Sequence, residues 1–264
     1  MALLRTRSAP LTTVVPVSKS SDQESRAART QRTAAALEAE RRRNRNRQLA
    51  SVGAVVLVVV LVVGALYVFW PSNDSSDVDA APAGASEYSL GVGDPEAPTE
   101  VVVYEDFLCP FCGQFEAASG DELQRLADDG QVYVEYRPLN FLSRIGDYSE
   151  RATNAFAAVL DSEGPEVAKT FHDALFANQP SESGPFPDDD ALVQLAVESG
   201  ADEESVRPAI EDLAFEDWVD QATQEASEAG ISATPTILVD GEPFTDGQTV
   251  EELSANLIST IEQG

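Results

Sequence analysis

The stretch Glu105-Asp106-Phe107-Leu108-Cys109-Pro110-Phe111-Cys112 decides how this chain is read. It holds both cysteines of the chain, three positions apart. A pair so close cannot close a long loop, so it adds little stability as a cross-link. A disulfide-stapled scaffold would carry more cysteines. Zinc needs four ligands, and the chain has no third cysteine and one histidine, His172, so no metal is expected. His172 itself reads as a surface or packed residue on a helix. What remains for the pair is redox chemistry. A thiolate attacks a disulfide and a thiol does not, so a redox cysteine must be held as an anion. The spacing places Cys109 at a helix N-cap and Pro110 at the first helical position, where proline is favoured. Unpaired backbone N–H groups and the positive end of the helix dipole then face the Cys109 sulfur. Cys112 lies one turn along and is more covered, placed to resolve a mixed disulfide formed at Cys109.

Outward from this stretch the pattern is that of an α/β domain. Val101-Val102-Val103-Tyr104 reads as a buried strand leading to the cysteines. A helix is predicted from Pro110 to about Asp128, closed by Gly130, and a second strand over 131–137. Residues 147–230 are helical in pattern. The stripe Tyr148, Ala152, Ala155, Phe156, Val159 is followed by Phe171, Leu175, Phe176, then Leu192, Leu195, Ala196, and then Phe215, Trp218, Val219, Ala222. Thr236–Val239 is a third strand, Asp240-Gly241 a hairpin turn, and 243–245 a short edge strand. Thr249 and Glu252 form a capping-box pair that opens the last helix, with Leu253, Leu257 and Ile261 facing inward. The order describes a small α/β sheet with a helical block, about 147–214, inserted after the second strand.

Thr234-Pro235 stands immediately before the third strand. A proline there is ordinarily a strand start or turn. Alternatively it is a cis peptide opposite the cysteines, leaving Thr234 backbone groups free to pair with an extended client. The cysteine pair favours the second reading.

The N-terminal third is different. Residues 1–48 are polar and hold eleven Arg/Lys against four Asp/Glu. Residues 49–70 carry no charge and end in Tyr67, Phe69 and Trp70. At 1.5 Å per residue that run reaches roughly 33 Å, enough to span a bilayer. The arginines at 41–47 mark the cytoplasmic side, which puts the C-terminal domain outside. The run is too long, and its preceding tail too large, for a cleaved signal peptide. Residues 71–97, rich in Ser, Asp, Ala, Gly and Pro, read as a flexible linker to a domain over 98–264. The chain has 17 Lys+Arg and 46 Asp+Glu, a net charge of -29. The excess acid lies entirely beyond residue 48, so nucleic acid and anionic lipid are excluded as partners of the domain.

Four segments together resemble the DsbA-like branch of the thioredoxin superfamily. They are Gly93-Asp94-Pro95-Glu96-Ala97-Pro98, the Glu105–Cys112 stretch, Gly230-Ile231-Ser232-Ala233-Thr234-Pro235-Thr236 and Asp240-Gly241. The resemblance covers about 91–262. It implies a thioredoxin fold, Cys109 as nucleophile, Cys112 as resolving cysteine, and Pro235 as a cis-proline. Thr234, Pro235, Pro110 and Phe111 would contact clients, no cofactor is implied, and clients would be exported proteins with cysteines. A separate, quinone-linked redox partner would sit in the membrane. Two places depart from the pattern. Val103 stands where relatives carry a buried acid, with Glu105 or Asp106 as candidate substitutes. Phe111 stands where oxidising members often have histidine. Oxidation of client thiols is the leading expectation. Reduction or isomerisation is its rival, and a non-catalytic peptide-holding module is a third reading.

Overall fold

Val101, Val102, Val103 and Tyr104 suit a pleated strand buried on both faces. They form the centre of β2, Thr99–Glu105, in a five-stranded sheet. The structure, a computed structural model, describes residues 78–263. The other strands are β1 (Leu90–Val92), β3 (Val132–Pro138), β4 (Thr236–Val239) and β5 (Glu242–Pro243), in the order β1-β3-β2-β4-β5. β2 and β3 are parallel, with Val103 opposite Tyr136; the other pairings are antiparallel.

Seven helices are described: α1 (Pro110–Asp128), α2 (Tyr148–Glu163), α3 (Pro165–Ala177), α4 (Asp189–Glu198), α5 (Glu203–Glu211), α6 (Glu216–Glu228) and α7 (Val250–Gln263). Strand alternation divides the core. Val101 and Val103 face α1, α7 and the inserted helices, packing with Phe115, Leu123, Phe156, Phe171 and Leu257. Val102 and Tyr104 face the other way, onto Ala222, Ala226 and Ile231. The expected insert over 147–214 corresponds to α2–α5. The capping box at α7 forms with one shift: Glu252 N–H donates to Thr249 Oγ1 at 3.2 Å, while the Glu252 carboxylate accepts from Gln248 N–H rather than from Thr249.

The domain begins earlier than its composition suggests. The expected flexible linker 71–97 and domain start at Pro98 must be corrected over the described part. Leu90 is buried, β1 pairs with β3, and the Arg137 guanidinium binds the carbonyls of Ala81 and Pro82 at 2.9 and 3.0 Å. Backbone carbonyls made these contacts, so side-chain composition did not reveal them. The basic tail 1–48 and the apolar run 49–70 lie outside the described residues. Among the described residues no helix is long and apolar enough to cross a membrane.

Candidate active site

Cys109 is the N-cap of α1, in extended conformation, and Pro110 opens the helix. Both cysteines are free thiols. Cys109 is 5% exposed and Cys112 1%. Both are therefore buried in the core cluster, Cys112 the more completely. Their acidities diverge accordingly. Cys109 is lowered to about 6: a hydrogen bond from the Cys112 thiol outweighs burial, helped by Thr234 and the N–H groups of Cys112 and Phe111. Cys112 is pushed well above the ordinary thiol range by burial, then by its bond to Cys109 and by the nearby charges of Cys109 and Glu105. Such a split is what a nucleophile and a resolving thiol require.

Thr234–Pro235 is a cis peptide, as expected from the sequence. When protonated, Cys109 donates to the Thr234 carbonyl at 3.3 Å, so the cysteine and the loop before β4 stand face to face. Beside them Pro235, Ile237, Phe244 and Leu253 line a cleft of about 330 Å³. Phe111 is the most exposed large apolar side chain described, at 58%. Pro110, Phe111, Thr234 and Pro235 therefore surround the Cys109 sulfur or border its approach.

Three groups take roles that the sequence did not show, although Asp106 was a candidate for the buried acid. Asp106 is fully buried and accepts from Leu108 N–H at 2.8 Å, Leu142 N–H at 2.9 Å and Ser149 Oγ at 2.7 Å. It pins the loop before Cys109 to the insert. Gln179, just after α3, donates to the carbonyls of Phe107 and Cys109 at 3.0 and 2.9 Å. Gly113 makes room for it, since a Cβ there would meet Gln179 Oε1 at 2.5 Å.

The third is His172, which is fully buried. Its Nε2 lies 2.6 Å from Glu105 Oε1 and its Nδ1 2.9 Å from Asp173 Oδ1. Burial would lower its pKa, but the charge of Glu105 and bonds to Asp173 and Glu105 carry it up to about 10. Glu116, His172 and Asp173 have donor atoms within 4.8 Å of one another. Lys169 already places an ammonium there, 2.5 Å from Asp173 and 3.7 Å from Glu116, and supplies the charge a metal would bring. The signal for this cluster was weak, because Glu105 and His172 are 67 positions apart.

Residues 85–258 match the sequence pattern of the family described as Thioredoxin. The reduced disulfide bond oxidoreductase DsbG of Mycobacterium tuberculosis superposes with a TM-score of 0.58 at 31% identity, covering 72% of this chain and 91% of that one. The chain is a DsbA-like member of the thioredoxin family. Its described domain has the fold and paired thiols of a thiol-disulfide oxidoreductase. BdbD of Bacillus subtilis, at 23% identity, shares the fold with a TM-score of 0.60 over 72% of this chain and all of that one. The serine/threonine-protein kinase PknE of M. tuberculosis is 34% identical over 117 residues. The DsbA-like chain spans only 21% of that kinase's length.

Proposed function

We propose that this chain oxidises thiols of exported proteins, and that residues 49–70 anchor it with the domain outside the cytoplasmic membrane. The observation that carries the direction is the seat of Cys109 at the N-cap of α1, where the Cys112 thiol and the N–H groups of Phe111 and Cys112 favour its thiolate. Stabilising that thiolate stabilises the reduced enzyme, which makes the Cys109–Cys112 disulfide a better oxidant. At about 6 the pKa of Cys109 lies well below the ordinary thiol range.

In the forward reaction a client thiolate attacks Cys109 Sγ. The Cys109–Cys112 bond breaks and its electron pair leaves on Cys112. The client's second thiolate then attacks its own bridged sulfur, releasing Cys109 as a thiolate and the client as a disulfide. The Thr234 carbonyl, released when Cys109 ionises, is free to pair with an extended client. Phe111 and the cleft beside Pro235 offer apolar contact. A quinone-linked membrane partner would restore the disulfide, in keeping with how oxidising extracytoplasmic compartments are maintained.

Equilibration with glutathione tests the direction. The expected potential lies between about -270 and -120 mV, the values of thioredoxin and of a strong oxidase. A thioredoxin-like potential, with the pair mostly dithiol in cells, would overturn the oxidase reading in favour of reduction or isomerisation. Protease added to intact cells tests the topology: it should digest the domain and spare residues 1–48, whereas a protected domain rules the proposed orientation out.

A further inference from the structure

The redox helix begins on a shared donor. The Cys109 carbonyl closes the first turn of α1, accepting from Cys112 N–H at 3.0 Å and from Gly113 N–H at 3.2 Å. The Cys112 N–H also serves the Cys109 sulfur, together with the N–H of Phe111. One N–H thus answers two acceptors, the carbonyl and the sulfur of the same residue, as in other three-centre bonds at helix ends. When Cys109 ionises, its sulfur becomes the stronger acceptor, because a charged acceptor holds an N–H more tightly than a neutral one. The carbonyl then gives up part of its bond. A carbonyl left short of donors away from water is unfavourable, and that cost opposes ionisation.

Gln179 stands at that carbonyl. Its Nε2 donates to the Cys109 carbonyl at 2.9 Å and to the Phe107 carbonyl at 3.0 Å. The side chain arrives from the insert, two residues past the end of α3 at Ala177. Its own backbone N–H returns to the Phe176 carbonyl at 3.2 Å, and the Phe176 ring packs 5.0 Å from that of Phe107. Both ends of the bridge are therefore fixed on the core. The sense of the amide is fixed too. The end that faces two carbonyls must be the NH2, since an amide oxygen only accepts. The other end, Oε1, lies against Gly113, where a Cβ would come within 2.5 Å; the three atoms nearest to such a Cβ all belong to Gln179. Glycine inside a helix is less favourable than alanine. At 113 it leaves the space that the Gln179 amide occupies.

From this geometry we infer that Gln179 is a positioning residue for Cys109: by holding the Cys109 carbonyl, it releases the Cys112 N–H to the sulfur and so favours the thiolate. The inference rests on the thiol-disulfide reading of the same site and brings the insert into it. Ser149 of α2 holds Asp106 on one side of the loop before the cysteines, and Gln179 holds Phe107 and Cys109 on the other. The helical block therefore does more than cover the core; it tunes the nucleophile through one amide. From the remaining elements, the Cys112 thiol on α1 and the Thr234 carbonyl before β4 act on the same sulfur, and neither is a hydrogen-bond partner of Gln179. No proton or electron passes through Gln179. Its effect is on the balance between thiol and thiolate. With the thiolate less favoured, the reduced pair is less stable and the disulfide is a weaker oxidant.

Two substitutions reach this bond from opposite ends. Gln179→Met keeps the length of the side chain and removes the donor. Gly113→Ala leaves Gln179 in the chain but drives its amide off the carbonyl, and alanine, the better helix residue, keeps the fold. Alkylation of the reduced full chain by iodoacetamide, followed against pH, reads the Cys109 pKa. Each variant should raise it by about 0.5–1 unit, the scale of one hydrogen bond. Equilibration with glutathione at pH 7 should move about three- to fivefold toward the disulfide in each. The double variant should shift no further than either single one, because both remove the same bond. Additive shifts overturn the inference. So does a folded Gly113→Ala with the wild-type pKa and equilibrium. A merely structural Gln179 would lower the urea midpoint and leave both readings where they were. If wild type itself does not equilibrate with glutathione, the oxidoreductase reading fails, and the alkylation profiles still judge Gln179.

Should neither variant fold, wild type decides alone. The Gln179 side-chain amide resonances in 15N NMR should move along the Cys109 titration, as its bond to the carbonyl tightens. Resonances that stay level from pH 5 to 8 overturn the inference.

Discussion

The sheet carries a buried charge cluster on each face, and the two are built to opposite specifications. Beyond Tyr104 lies Arg137, 2% exposed as a side chain and paired with the fully buried Glu135 at 2.6 Å. Its remaining nitrogens donate to the Tyr104 hydroxyl at 2.6 Å and to the carbonyls of Ala81 and Pro82. Glu135 uses its other oxygen to accept from Gly84 N–H. Both ionic groups are thus held by several partners, as a permanent ion pair. On the opposite face, Glu105, His172, Asp173, Lys169 and Glu116 are also buried or half-buried, but one buried oxygen, Glu116 Oε2, has no hydrogen-bond partner. Glu116 is pushed up to about 7 by burial, against the lowering charges of His172 and Lys169. The saturated cluster ties the chain segment before β1 to the sheet. The one beside the thiols can change its protonation, which a redox site needs and a clamp does not.

The contrast breaks most visibly at Arg137. Replacing it by alanine leaves Glu135 as an uncompensated buried carboxylate and unties residues 81–84. The expected loss is about 3–5 kcal/mol of unfolding free energy, the usual cost of breaking a buried pair. Urea unfolding measures it, and the Cys109 pKa, read from pH-dependent alkylation, should not move. A loss under about 1 kcal/mol would show that the cluster is not a clamp.

The second expectation concerns pH. His172 in the folded chain is raised to about 10, above its unfolded value of about 6.5. The folded state therefore holds this proton more tightly. Its stabilisation is fully present below about pH 6.5 and is lost as pH rises toward 10. Each pH unit between the two values corresponds to up to about 1.4 kcal/mol, so a loss of a few kcal/mol is expected across the window. The urea midpoint of wild type should fall over pH 7–10, and that of His172→Gln should be flatter. The slope should survive in Arg137→Ala, because a guanidinium stays charged throughout. A midpoint that is level from pH 7 to 10 in wild type would remove the buried imidazolium.

How much of this was legible in the sequence follows the same division. The thiols, the N-cap, Thr234-Pro235 and the β2 strand were readable because each is declared by a local pattern: spacing, a helix start, a proline, a β-branched run. The insert was readable from its apolar stripes. His172 was not, because a lone histidine on an apolar helix face says nothing about the residue it meets across the core. Gln179 was hidden for a related reason, since its bonds go to backbone carbonyls that every sequence possesses, and Asp106, a candidate buried acid, gave no sign that it would pin the loop through two backbone N–H groups and Ser149. Residues 79–92 looked like a linker because Pro, Gly, Ser and Ala compose much of them. They dock through carbonyls onto Arg137 and through the three-residue strand β1, which is too short to show a period.

The smallest expected effect is the most discriminating between the clusters. Glu116 packs on Gly120, where even a Cβ would come within 2.3 Å of Oε1, so its carboxyl has little freedom to turn toward water. Its folded pKa of about 7 exceeds the unfolded value of about 4.3, so the fold prefers the protonated acid. Ionising it therefore removes stability as pH rises between those values. Glu116→Gln keeps the shape and cannot ionise. It should match wild type at pH 4.5 and exceed it by about 1–2 kcal/mol at pH 8, less than the full linkage value because Lys169 partly compensates the charge at 3.7 Å. Were this cluster saturated like that of Arg137, the same change would strip Lys169 of a needed partner and destabilise at every pH. The sign of the difference at pH 8, read from two urea titrations, separates the two cases.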